Sequence, residues 1–190
     1  MNAIAVVTDS AAALPPELLR QYDIHVVPEL LYWNGHTYRD GVDITPEEVY
    51  RRLRDGSMPP RTSAPSVGDF VQLYTCLGRE ASGIVSVHLA SYLSATCQAA
   101  RVASDAVEEV VPVRVVDSGT AAMGQGFAVL AAARAASRGA DLEEVAREAE
   151  RVSRRVRVFA MLDTLEYVQR CGRVSWAAAL AASALRIKPI

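Results

Sequence analysis

Histidine and cysteine are scarce in this 190-residue chain, three of each, and their scarcity removes several chemistries at once. Cys76, Cys97 and Cys171 are odd in number, far apart and without metal-ligand spacing, so they predict reduced, mostly packed thiols, no disulfide framework and no metal. His25, His36 and His88 form no HExxH pair, and neither a GxSxG nucleophile elbow nor a GxxxxGK[ST] phosphate loop occurs. Zinc hydrolases, α/β-hydrolases and P-loop enzymes thereby lose their basic requirement. No uncharged apolar run is long enough to cross a bilayer, and Met1-Asn2-Ala3-Ile4 does not open a basic-then-apolar leader. The expectation is a cytoplasmic protein without stable membrane insertion. Positive charge is not in excess either, the formal net charge being −2. Arg151, Arg154, Arg155 and Arg157 form the one basic run; it reads as a solvated helix face, and no nucleic-acid partner is expected.

What the chain does have is apolar content, 51% hydrophobic against 22% charged residues. That balance predicts a globular fold, and the length suits one sizeable domain with at most a small appendage. Ile4-Ala5-Val6-Val7-Thr8 reads as a strand running into Asp9-Ser10, and Pro15-Pro16 opens a helix through Leu19. Residues 24–32 read as a second strand, with a shorter extended piece at Thr37-Tyr38. Thr45-Pro46-Glu47-Glu48 has the form of a capped helix start. The proline-rich stretch 56–66 reads as a loop that ends in Ser66 capping a helix with Phe70, Leu73 and Tyr74. Strands over 83–88, 110–116 and 156–162 then alternate with helices over 94–106, 121–137 and 142–152. The alternation predicts an α/β fold: a mostly parallel sheet flanked by helices on both faces, with ligands beyond the C-terminal strand ends.

Hydroxyls gather at that predicted edge. Asp9-Ser10 and Asp117-Ser118 each follow a strand, and the strand ending at His88 runs into Ser91 and Ser94. Each Asp-Ser pair serves equally well, on sequence grounds, as a cap for the helix behind it. Gly124-Gln125-Gly126 also follows a strand, but Val129 stands where a dinucleotide fingerprint needs its third small residue, so no nucleotide cofactor is expected.

Two segments carry a resemblance: Thr62-Ser63-Ala64-Pro65-Ser66 and Leu93-Ser94-Ala95-Thr96. With Thr8-Asp9-Ser10, Tyr38-Arg39-Asp40-Gly41-Val42-Asp43-Ile44, Val116-Asp117-Ser118, Cys171-Gly172-Arg173-Val174-Ser175 and Ile187-Lys188-Pro189-Ile190, their order and spacing are similar to the DegV family, which includes the fatty-acid-binding subunits of bacterial fatty acid kinase. The resemblance implies a long-chain fatty acid as ligand, its carboxylate held by Thr62 and Ser94. It further implies a carrier rather than an enzyme, with no cofactor and a separate kinase catalytic subunit as partner. Ser10, Ser91, Asp117 and Ser118 are the supporting polar edge, and Arg173 is a candidate docking residue for the kinase. A helix start at Ser94 would favour an anion there. Leu30, Phe70, Tyr74, Leu93, Met123, Phe127 and Leu165 could line a tail tunnel or simply form core. Where the family usually has Leu-Ser-Gly-Thr-Tyr and Gly-Gly-Arg, this chain has Leu93-Ser94-Ala95-Thr96-Cys97 and Cys171-Gly172-Arg173.

Family members continue past the Ile-Lys-Pro-Ile segment into a part that supplies an Arg and a His near the head group. Residues 1–160 are therefore expected to form the ligand-binding domain, and 161–190 linker helices and the start of a truncated second domain. Two alternatives remain at this stage. One is an acyl or phosphoryl transferase with Ser94 as nucleophile and His88 as base; the other is a fragment that binds nothing.

Overall fold

Alternation inside the first apolar run assigns each residue to one side of a sheet. In the computed structural model, which describes residues 4–161, 167–168 and 171–173, β1 is Ile4–Asp9, with Val6 in one core and Val7 in another. The chain continues through α1 (Pro16–Gln21), β2 (Ile24–Val27), β3 (Leu30–Trp33), β4 (His36–Arg39), α2 (Pro46–Arg54), β5 (Arg61–Ser63) and α3 (Val67–Leu77). Then come β6 (Gly83–His88), α4 (Thr96–Ala106), β7 (Val113–Asp117), α5 (Met123–Ser137) and α6 (Leu142–Arg155).

The main sheet is parallel throughout, in the order β2-β1-β6-β7. Every residue of β6 is buried, as expected of an inner strand covered on both faces. On one face Val6, Ile24, Val85, Val87 and Val116 meet the α5–α6 pair through Val129, Ala132, Val145 and Ala149. On the other, Val7, Val27 and Ile84 meet Phe70 and Tyr74 of α3 and Ala100 and Ala103 of α4. Each fully buried valine contributes roughly 1.5–3 kcal/mol relative to exposure. This is the doubly covered α/β architecture that the strand-helix alternation predicts.

A second, three-stranded antiparallel sheet, β4-β3-β5, sits over a small cluster of Leu31, Trp33 and Ile44. Its presence corrects the expectation of one strand over 24–32. Pro28 has no N–H to offer a ladder, so β2 stops at Val27 in the main sheet and the chain re-enters the second sheet as β3. β5 lies inside the stretch read as loop; three residues flanked by prolines carry no alternation to announce a strand, and only the pairing with β3 makes one.

Local chemistry explains the helix starts. The Thr45 hydroxyl accepts from the Glu48 N–H at 3.3 Å, and Pro46 occupies the first turn of α2. Ser66 and Asp69 complete a reciprocal capping box on α3, and Asp141 and Glu144 do the same on α6. β7 begins at Val113 rather than Val110, directly after Pro112. The strand expected over 156–162 does not form among the described residues 156–161; Leu162 lies outside them.

Candidate functional site

Three of the four parallel strands end in polar side chains, and the sheet brings these ends together. Asp9 closes β1 with no exposure at all. One of its oxygens accepts the Ala11 N–H at 3.0 Å; the other accepts from the Leu89 N–H at 3.1 Å and pairs with His88 Nδ1 at 2.9 Å. The far ring nitrogen, His88 Nε2, lies 2.7 Å from Ser86 Oγ, which in turn accepts the Tyr74 hydroxyl at 2.8 Å. Having accepted from Tyr74, Ser86 has its own O–H free to donate a hydrogen bond to Nε2, in the tautomer whose Nδ1–H donates to Asp9. The direction is then continuous from tyrosine to carboxylate, and every member is buried.

The order Asp, His, Ser invites comparison with a hydrolytic triad, but Tyr74, Ser86, His88 and Asp9 are all 0% exposed. No substrate reaches Ser86. The same geometry corrects the pairing of His88 with Ser94: both ring nitrogens are engaged by Asp9 and Ser86. What the chain of bonds does is tie β1, β6, α3 and the loop after β6 into one frame. A parallel link lies behind it, where Thr8 donates to Val87 O at 2.8 Å and accepts from Gln125 Nε2 at 3.0 Å. Gly126 explains the surrounding Gly-Gln-Gly: a Cβ there would lie 2.8 Å from Ala12 O. At Gly124 likewise a Cβ would lie 2.7 Å from Thr120 Oγ1, so both glycines allow close helix-to-loop packing.

Ser94 stands on the loop that this frame holds. Helix α4 starts at Thr96, with Ala95 at its cap position, so Ser94 lies just outside the helix rather than in its first turn. Its Oγ is 2.9 Å from Thr96 Oγ1 and accepts the Thr96 N–H at 3.4 Å. Thr96 Oγ1 donates to Glu29 Oε1 at 2.6 Å, and the Glu29 N–H donates to Ser10 Oγ at 3.1 Å. Burial pushes the Glu29 carboxyl up to about 7; the Thr96 bond opposes that shift, Asp9 and Asp40 add to it, and Arg173 opposes it from outside.

The remaining expected residues lie on β5, on the loops after β1, β6 and β7, and on the 171–173 turn. Thr62 is exposed on β5, opposite Leu31 of β3, and its hydroxyl has no hydrogen-bond partner among the described residues. Arg173 reaches back to the Ser94 loop, Nε donating to Leu93 O at 3.3 Å and a terminal nitrogen to Cys171 O at 2.6 Å. The turn that carries it keeps its positive φ at Gly172, +74°, so cysteine at position 171 costs the turn nothing of that kind. Asp117 accepts the Ser91 and Gly119 N–H groups at 3.3 and 2.8 Å. Ser118 is buried, with its Oγ donating to Thr120 O and accepting the Thr120 N–H. These three shape the rim loops, and Ser10 serves Glu29.

Of the apolar candidates for a tail tunnel, Phe70 and Tyr74 are sealed core and Phe127 is half exposed on α5, while Leu165 lies outside the described residues. A cavity of about 540 Å³ adjoins the edge, with Thr8, Asp9 and Ser10 at one side and Leu14, Leu19, Val26 and Val42 among its walls. That volume falls within the range of small-molecule sites. Sequence reasoning missed Glu29 and Thr96. A charged residue directly after proline in Val26-Val27-Pro28-Glu29-Leu30-Leu31 was the available signal for the first. Among the described residues no cluster of three or more His, Cys, Asp or Glu could hold a metal, and no helix is long and apolar enough to cross a membrane.

A parallel sheet whose strand ends gather hydroxyls and carboxylates, with a cavity beside the end of β1, has the arrangement at which α/β domains commonly place their ligands. The chain belongs to the DegV family: the family model, described as an uncharacterised protein family of that name, matches residues 3–190. Protein DegV of Bacillus subtilis is 36% identical over 188 residues, covering 98% of this chain and 66% of that protein. A crystal structure of DegV from the same organism, described as a fatty acid binding protein, superposes with a TM-score of 0.87 at 34% identity, over 96% of this chain and 64% of that one. A DegV family protein from Thermus thermophilus, described by its fatty acid binding, gives 0.82 at 37% identity, over 95% and 64%. The chain thus spans about two thirds of the length of these relatives.

Proposed function

We propose that this chain binds a long-chain fatty acid, holds its carboxylate with the hydroxyls of Ser94 and Thr62, and makes or breaks no bond in it. The observation that carries the reading is the cluster itself: a partly exposed serine hydroxyl beside a helix start, in a domain closely similar to two proteins described as fatty acid binding. An ionised head group buried without partners would cost several kcal/mol, which is why hydroxyls and amides must surround it. The tail then adds roughly 0.8 kcal/mol for each CH₂ removed from water. Head chemistry selects the class of ligand, and apolar burial supplies the affinity. Arg173, exposed at the rim beside Leu93, would in this reading meet a second protein that approaches the carboxyl group, a kinase that forms acyl-phosphate.

Calorimetric titration with oleate below its self-association limit tests the proposal. Hydrogen bonds to a charged group are worth about 1.5–3 kcal/mol each, so the double variant Thr62→Ala, Ser94→Ala should bind at least about 100-fold more weakly. Equal affinity in the two proteins would remove Ser94 and Thr62 from the head-group site.

A further inference from the structure

Among the described residues Glu29 is the carboxyl group that touches the Ser94–Thr96 hydroxyls, and a carboxylate is an odd neighbour for the head group of a fatty acid. Thr96 is fully buried between it and Ser94, so the three oxygens form a line in which each hydroxyl has one proton to give. We infer that Glu29 decides whether the Ser94 proton is available: while Glu29 is ionised the proton is drawn inward along the line, and protonating Glu29 releases it for a bound carboxylate.

The assignment follows from counting protons. An ionised Glu29 only accepts, so the Thr96 hydroxyl donates to it across the 2.6 Å contact. The 2.9 Å contact between Thr96 and Ser94 then holds a hydrogen bond only if Ser94 donates. Ser94 Oγ already accepts the Thr96 N–H, and in this state it turns a bare lone pair toward the ligand. Two oxygens without a proton between them repel. Once Glu29 carries a proton it can donate to Thr96, Thr96 donates to Ser94, and Ser94 accepts from both the Thr96 hydroxyl and the Thr96 N–H while its own proton points outward. The proton that makes the difference comes from solvent, one per ligand bound, and no other bond changes.

The surroundings favour that uptake. Asp9 at the end of β1, with His88 hydrogen-bonded to it, and Asp40 after β4 face Glu29, and Arg173 is the cation that opposes them. Burial and these two carboxylates already raise the Glu29 carboxyl to about 7. A third negative group, the ligand itself, adds to the same side. Glu29 is thus a positioning residue for the head group, and it makes affinity depend on pH close to neutrality.

The inference rests on the proposed fatty acid site, and the test separates the two. Oleate and dodecyl sulfate, the latter ionised at every pH used, are titrated into the chain from about pH 5.5 to about pH 8.5, in buffers of different ionisation enthalpy so that proton uptake is counted. Wild type should lose affinity for both ligands above neutrality, by up to about tenfold per pH unit, with close to one proton taken up per ligand. Glu29→Gln keeps the shape and has no proton to exchange, so its profile should be flat. Thr96→Ser keeps the hydroxyl and should retain the wild-type profile. An equal slope in wild type and Glu29→Gln, a slope lost in Thr96→Ser, or a slope seen with oleate alone would overturn the inference while leaving the carrier reading intact. Absence of binding at any pH would overturn the carrier reading and this inference with it.

Discussion

Replacing Asp9 with alanine should cost the domain about 3–5 kcal/mol. The carboxylate accepts from the His88 ring, the Leu89 N–H and the Ala11 N–H, at 2.9, 3.1 and 3.0 Å. The first two donors are sealed from water, and each buried donor left without a partner costs about 1–3 kcal/mol. Two such donors together cost about 2–6 kcal/mol, and the expected loss lies in the middle of that range. A domain of this size is stable by only about 5–15 kcal/mol, so the variant should sit near the limit of folding at room temperature. Urea unfolding followed by far-ultraviolet circular dichroism measures it. Asp9→Asn, which keeps one acceptor but turns an NH₂ toward one of the former donors, should lose roughly half as much. A loss below about 1 kcal/mol in Asp9→Ala would refute the claim that this carboxylate holds the loop after β6 in place.

Gly126→Ala would put a Cβ 2.8 Å from Ala12 O, a backbone atom that cannot swing aside; unfolding measurements should show a loss of about 1–3 kcal/mol, and unchanged stability would mean that α5 does not pack on the 10–14 loop as described. Stability should also fall as pH rises from about 4.5 toward 7, because folded Glu29, raised to about 7, holds its proton through a range in which the unfolded chain has released it. The full effect is at most roughly 3 kcal/mol. The slope should be absent in Glu29→Gln, and a variant that tracks wild type across this range would contradict the placement of Glu29.

Local chemistry was readable in the sequence and long-range contact was not. Pro46 behind Thr45 and Asp69 behind Ser66 announce the starts of α2 and α3 because a cap needs only its own first turn. The strand-helix alternation announces the parallel sheet for the same reason. Pro28 was visible, but the apolar run on both sides of it hid the switch from one sheet to the other. β5 exists only through its partner, β3. The candidate site divides in the same way. Ser94 and Thr62 stand in recognisable motifs, while Glu29 meets Thr96 across 67 positions and Asp9 meets His88 across 79, so nothing in the neighbourhood of either signals the contact. Reading His88 as a partner for Ser94 from their closeness in the chain failed because sheet pairing carries the His88 ring inward to Asp9 and Ser86, away from the loop.

Native mass spectrometry of the chain as purified from cells, with lipid extraction and the Thr62→Ala, Ser94→Ala double variant beside it, tests the central claim most directly. The account predicts one non-covalent long-chain fatty acid per wild-type chain and its loss in the double variant. A wild-type chain that carries no fatty acid and takes none up when it is supplied, or one that carries an acyl group covalently on Ser94, would contradict it.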